Sequence, residues 1–187
     1  MLIQKVSPVG VDKVIDKLQV AIYDYLTGVA GFTQYESYPR CYKNYKDGMI
    51  IPEMYTGTNE YKEVLFDDRY NLTSFFIVDD DSDREGVNVV SQNVSIIFQG
   101  LLDKLFPSVS HRADEELKAV IYNALSEYYF EDYLLSIQMG IDNVYGDLRI
   151  LGTLKDRVIL DDMSNFNVLR FNFKLNFNID KCKTSQL

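Results

Sequence analysis

From Leu169 to Ile179 the chain reads Leu-Arg-Phe-Asn-Phe-Lys-Leu-Asn-Phe-Asn-Ile, apolar at every odd position and polar or charged at every even one. Successive strand side chains point to opposite faces, so this alternation predicts a long β-strand with one core face and one wet face. Phe166 and Val168 have the opposite parity, which predicts a bulge or bend near Val168. The even face carries Arg170, Asn172, Lys174, Asn176 and Asn178. If the strand lies at a sheet edge, its free backbone can continue the sheet into another copy.

Near the N-terminus the period changes. Val11, Val14, Ile15, Leu18, Ile22, Tyr25, Leu26 and Val29 recur at helical spacing, with Ser7-Pro8 as the entry signal and Gly28 and Gly31 as the stop. A second amphipathic helix is expected from about Arg112 to Tyr129, its first turn loaded with Asp114, Glu115 and Glu116. Between the helices, Leu72–Val78 reads as a buried strand ending in an acidic turn, and Val89–Gln99 as an alternating strand. The run from Leu101 to Phe106 makes a short helical turn that Pro107 stops. Tyr133–Met139 fits helix and strand equally well.

Residues 32–70 have a different texture. Tyr35, Tyr38, Tyr42, Tyr45, Tyr55, Tyr61 and Tyr70 are interleaved with polar residues, with strands expected at Tyr38–Tyr45, Met49–Tyr55 and Tyr61–Phe66 and a hairpin turn at Asp47-Gly48. Few side chains here are aliphatic, so the stretch reads as a projecting β arm within one domain spanning 1–187. The fold class is α+β: a mixed or antiparallel sheet packed against two main amphipathic helices, because helices and strands are segregated instead of alternating.

Length and charge bound the function. The chain has 187 residues, enough for one sizeable core. Its net charge of −9 opposes a grip on nucleic acid, which needs a basic surface, but suits a wall past which DNA slides. No secretory signal and no membrane-length apolar run is visible, so the sequons at Asn71 and Asn93 carry no weight and Cys41 and Cys182 read as free thiols.

Chemistry-bearing clusters are sparse. Asp79, Asp81 and Asp83 have calcium-loop spacing, but Arg84 stands where the loop needs glycine and Val90 where it needs a bidentate glutamate. His111 is the only histidine and precedes a helix, which suits a role at the helix entry. Glu131-Asp132 and Asp161-Asp162 read as exposed acids. No catalytic residue, metal site or cofactor site is assigned. Tyrosine joins an apolar ring to a polar tip and suits protein contacts. Tyr35, Tyr38, Tyr42, Tyr45 and Tyr55 are therefore candidate subunit-contact residues, with Arg170, Lys174 and Asn176 on the last strand as a second set.

The order of elements carries a resemblance. The strand Val-Val-Ser-Gln-Asn-Val-Ser-Ile-Ile-Phe-Gln at 89–99 is followed by Leu-Leu-Asp-Lys-Leu-Phe-Pro at 101–107. The helix opening Arg-Ala-Asp-Glu-Glu-Leu comes next, at 112–117. Together with the first helix, the arm and the final strand, this resembles the neck and tail-terminator proteins of tailed phages. It is most similar to the head-to-tail ring proteins of crAss-like phages of gut Bacteroides. At residue level the likeness is concentrated in 89–129.

The resemblance implies a virion structural protein, not an enzyme: a tail or neck ring between portal and tail, made in the host cytoplasm. Its partners would be further copies of itself in sixfold or twelvefold symmetry, together with portal, neck or tail proteins. DNA would pass through the lumen without sequence-specific binding, and no membrane would be involved. The rival readings are a metal-dependent hydrolase or nuclease built on Asp79–Asp83, and a monomeric binding module.

Overall fold

A computed structural model describes residues 1–46, 49–63, 69–85, 87–141, 143–144 and 165–178, without the side chains of 43, 45, 46 and 49–52. Helix α1 spans Val11–Asp24 and continues into a single π-helical turn, Tyr25–Val29. Strands β1 (Tyr35–Lys46), β2 (Met49–Gly57) and β3 (Glu60–Glu63) follow, then β4 (Leu72–Arg84) and β5 (Val89–Leu101). The short helix α2 (Leu102–Leu105), helix α3 (Asp114–Glu127), β6 (Leu134–Met139) and β7 (Phe166–Asn178) complete the order. The seven strands among the described residues form one sheet in the order β3-β2-β1-β4-β5-β7-β6. Among the described strands only β1 and β4 pair in parallel, so the fold is α+β with a mixed sheet.

The middle of the sheet is buried on both faces. On one, α1 and α3 lay Ile15, Leu18, Ile22, Leu117 and Ile121 over Phe76, Ile96, Phe98, Phe171 and Phe173. On the other, Tyr38, Met54, Phe75, Ile77, Ile97 and Val168 form a second apolar cluster with Val144. This corrects the expected bend in β7. Its register against β5 runs from Leu101↔Phe166 to Val89↔Asn178 without a break. The parity change at Val168 has another cause: Leu169, Phe171, Phe173 and Leu175 serve the helix-side core, whereas Phe166 and Val168 serve the second core. Nor is β7 an edge strand, since β5 and β6 flank it.

Three further expectations change. Ser7 and Pro8 do not start α1; Gly10 is its N-cap, at φ +58°, with Phe177 only 3.4 Å from where a Cβ would stand. The helix ends in a π turn closed by Ala30 N–H donating to the Tyr25 carbonyl at 3.0 Å, before Gly31 turns at φ +70°. Most consequentially, the acidic run is not a turn. β4 continues to Arg84, with Ser82, Asp83 and Arg84 paired to Gln92, Ser91 and Val90 beyond a bulge at residues 79–81.

Tyr133–Met139 resolves into a 3-10 turn, Glu131–Tyr133, and then β6. Gly152, Asp161-Asp162, Cys182 and the Asp47-Gly48 turn lie outside the described residues. No helix among the described residues is long and apolar enough to cross a membrane.

Candidate assembly surfaces

The stretch from 32 to 70 is anchored at its root. β1 pairs with β4 from Tyr35 to Arg40, then passes to β2 from Cys41 to Lys46. On the other side of its first residues, Leu2 bridges Ser37, with Ser37 N–H donating to the Met1 carbonyl and Ile3 N–H to the Ser37 carbonyl, both at 2.9 Å.

Tyr35 and Tyr38 therefore belong to the core of the fold, not to a contact surface: they are 2% and 1% exposed. The Tyr35 hydroxyl lies 2.7 Å from Ser74 Oγ, which donates to Ser37 Oγ at 3.0 Å; Gln19 Nε2 donates to the same Ser37 at 3.3 Å. Burial pushes the Tyr35 phenol up to about 12, against the opposing pull of the Ser74 and Ser37 hydroxyls. The Tyr38 hydroxyl donates to Glu36, a buried carboxylate that Lys62 of β3 approaches to 3.7 Å. Lys62 also sits 5.0 Å from the centre of the Tyr38 ring.

Tyr42 and Tyr55 are half-buried and remain at the surface. With Tyr61 they form an edge-to-face trio, centroids 5.9 Å and 5.5 Å apart, beside a cavity of about 180 Å³ that Lys5 and Pro39 also line. Lys5 Nζ donates to Asp12 and, at 2.9 Å, to Tyr42 Oη. Its burial alone lowers the ammonium pKa, but these two bonds outweigh it and hold the group above its ordinary value. The side chain of Tyr45 lies outside those described.

The three polar candidates on β7 divide by position. Arg170 is tied down inside the sheet, Nε donating to Ser95 Oγ at 3.0 Å and a terminal nitrogen to Gln138 Oε1 at 3.3 Å. Lys174 reaches Asp83 and Glu85 on the β4–β5 hairpin, both at 3.4 Å, and the bonds to Asp83 and Glu85 raise its pKa. Asn176 is exposed. Asp79, Asp80, Asp81, Asp83 and Glu85 are all exposed along that hairpin. The extended backbone there is unlike a calcium loop. Among the described residues no three His, Cys, Asp or Glu side chains come together as a metal site.

His111 meets Glu116 at 2.8 Å across the entry to α3. The Glu116 carboxyl is lowered by its own backbone N–H and by His111. Cys41 is a free, buried thiol whose pKa burial drives far upward.

The surface that sequence reasoning missed lies after α3. Tyr129 is 75% exposed and Leu135 61%, with Tyr128 and Tyr133 also exposed. Tyr129 sits at φ +59°, turning the chain out of the helix. β6 then runs along β7 as the last strand of the sheet. The consecutive tyrosines Tyr128-Tyr129 carry the signal. It is masked because Tyr128 continues the helical spacing of Leu117, Ile121, Ala124 and Leu125, which predicts an inward role.

No protein-family model matches the chain, and no curated protein matches it by sequence.

Proposed function

We propose that this chain is a non-enzymatic structural subunit that assembles with further copies of itself into a ring, the connector role in a phage neck or tail. One observation carries the reading: among the described residues, a single sheet ends in two edges of unlike character on which no further strand lies. β3 at one end is four residues long and charged, and β6 at the other is largely apolar and neutral. A ring grows when one surface of a copy meets a different surface of the next, and closes when the rotation brings the last copy back to the first.

The charge distribution supports the same reading. The net charge is −9, and five exposed acids line the β4–β5 hairpin. Turned toward a lumen, such a hairpin repels phosphates, so a duplex passes without binding. The ring would extend the DNA conduit and match portal to tail, with sixfold or twelvefold symmetry. A metal-dependent hydrolase on Asp79–Asp83 is the poorer reading, because those residues belong to an exposed, strand-paired hairpin with no converging ligand set among the described residues.

The test is to mix the purified chain with the portal and tail proteins of the phage in which this reading places it and image the product. Rings of this chain between the two support the reading. A chain that binds neither, stays monomeric and hydrolyses a substrate in a divalent-ion-dependent manner contradicts it.

A further inference from the structure

β6 reads Leu-Leu-Ser-Ile-Gln-Met, six residues without a charge or a proline. One side pairs with β7; among the described residues no strand occupies the other. Natural sheets blunt free edges with charges, prolines, short strands or covering loops. Among the described residues the one such device on β6 is the register shift against β7 between Leu134 and Ser136. Tyr129, Tyr133 and Leu135 add exposed apolar area beside the free backbone. An edge without a neighbouring strand among the described residues, flanked by exposed aromatic rings, is a surface to which another strand adds.

The opposite edge follows the other pattern. β3 is Glu-Tyr-Lys-Glu, three of its four residues charged. If β3 paired with its own copy in centred antiparallel register, Glu60 would face Glu63, an apposition that destabilises the pair. Against the neutral β6 the same glutamates meet no like charge. Tyr61, 51% exposed, offers β3 an apolar side chain to set against Leu135.

We infer that the outer edge of β6 in one copy pairs with the outer edge of β3 in the next, so that the sheet continues from subunit to subunit. The inference rests on the ring reading. A conduit with a portal at one end and a tail at the other is polar, and only head-to-tail contacts between unlike surfaces build a polar ring. Pairing of β6 with a second β6 gives a closed two-fold dimer instead. The joint covers Leu135 and Tyr61, and it brings the Tyr42–Tyr55–Tyr61 trio beside the Tyr129–Tyr133 turn.

Cysteine cross-linking of the full chain tests it. In a Cys41→Ala, Cys182→Ser background, Tyr61→Cys and Leu135→Cys are introduced singly and together, at positions exposed enough to leave the fold intact. A disulfide needs Cα atoms within about 7 Å, so it reports direct pairing. Expected are a ladder of linked copies from the double variant, and a dimer when the two single variants are mixed and oxidised. Each single variant alone should yield none.

Self-linking of Leu135→Cys overturns the joint in favour of two-fold pairing. Closed rings without any 61–135 link overturn the joint and leave the ring reading standing. A 61–135 ladder from open filaments supports the joint and removes the ring. Monomers without cross-links at every concentration overturn both. As an independent arm, Leu135→Lys places a charge on the edge and should weaken assembly about tenfold or more, with the melting temperature of the subunit unchanged. Unweakened assembly overturns the joint.

Discussion

Two buried polar residues show how local chemistry sets the stability of this protein. Asn167 is almost fully buried on β7, and among the described residues neither of its amide atoms has a hydrogen-bond partner. A buried, unpartnered amide carries a desolvation cost, so Asn167→Val should raise stability by about 1–2 kcal/mol in a denaturant titration. An unchanged or lower midpoint means that the amide has a partner or that valine does not fit. Tyr35 gives a pH signature. Its phenol titrates near 12 when folded and near 10 when unfolded. The unfolded chain therefore loses its proton first as pH rises, and stability that is complete below pH ~10 declines between about 10 and 12. The decline across that window amounts to roughly 2–3 kcal/mol. Tyr35→Phe should flatten this alkaline fall; a slope equal to that of the wild type shows that Tyr35 is not its source.

At the scale of elements, the α2–β5 corner and the acidic hairpin are the informative joints. A Cβ on Gly100 would come within 3.0 Å of Leu105 and 3.3 Å of both Leu117 and Leu72, three apolar side chains already closely packed. Gly100→Ala should therefore destabilise the fold by about 1–3 kcal/mol, read as a lower melting temperature. The hairpin is held differently, by Lys174 between Asp83 and Glu85. Lys174→Glu replaces attraction with repulsion, so amide exchange across Asp83–Val90 should quicken while the α1 and α3 amides keep their protection. Equal exchange in both proteins would show that the strand ladder alone holds the tip.

Much of this architecture was legible from side-chain period. Alternation located β5 and β7, and the 3.6-residue repeat located α1 and α3, because each buries a continuous face. What periodicity could not give was that the sheet is covered on both faces. Hence the parity change at Val168 suggested a bend, where it marks a side chain passing from one core to the other. Local composition also misled at Asp79–Glu85, since the run is acidic enough for a turn but is held extended by β5 and by Lys174.

For the whole molecule, tyrosine-rich composition pointed to a contact surface, and the structure divides that composition by depth. Tyr35 and Tyr38 complete the core, Tyr42, Tyr55 and Tyr61 remain outside, and the most exposed aromatic turn lies at Tyr129, far from the arm in sequence. Strand order explains why none of this could be read along the chain. Only once β7 is known to lie between β5 and β6 do β3 and β6 become the two ends of the sheet.

The central claim is that these free ends are completed by other copies, and the most direct measurement is the native mass of the purified full chain across a concentration series. Expected is a discrete closed multiple of the 21.7 kDa chain, sixfold or twelvefold, that Leu135→Lys dissociates. A mass that stays at one subunit at every concentration, or a two-copy species that Leu135→Lys leaves untouched, contradicts it.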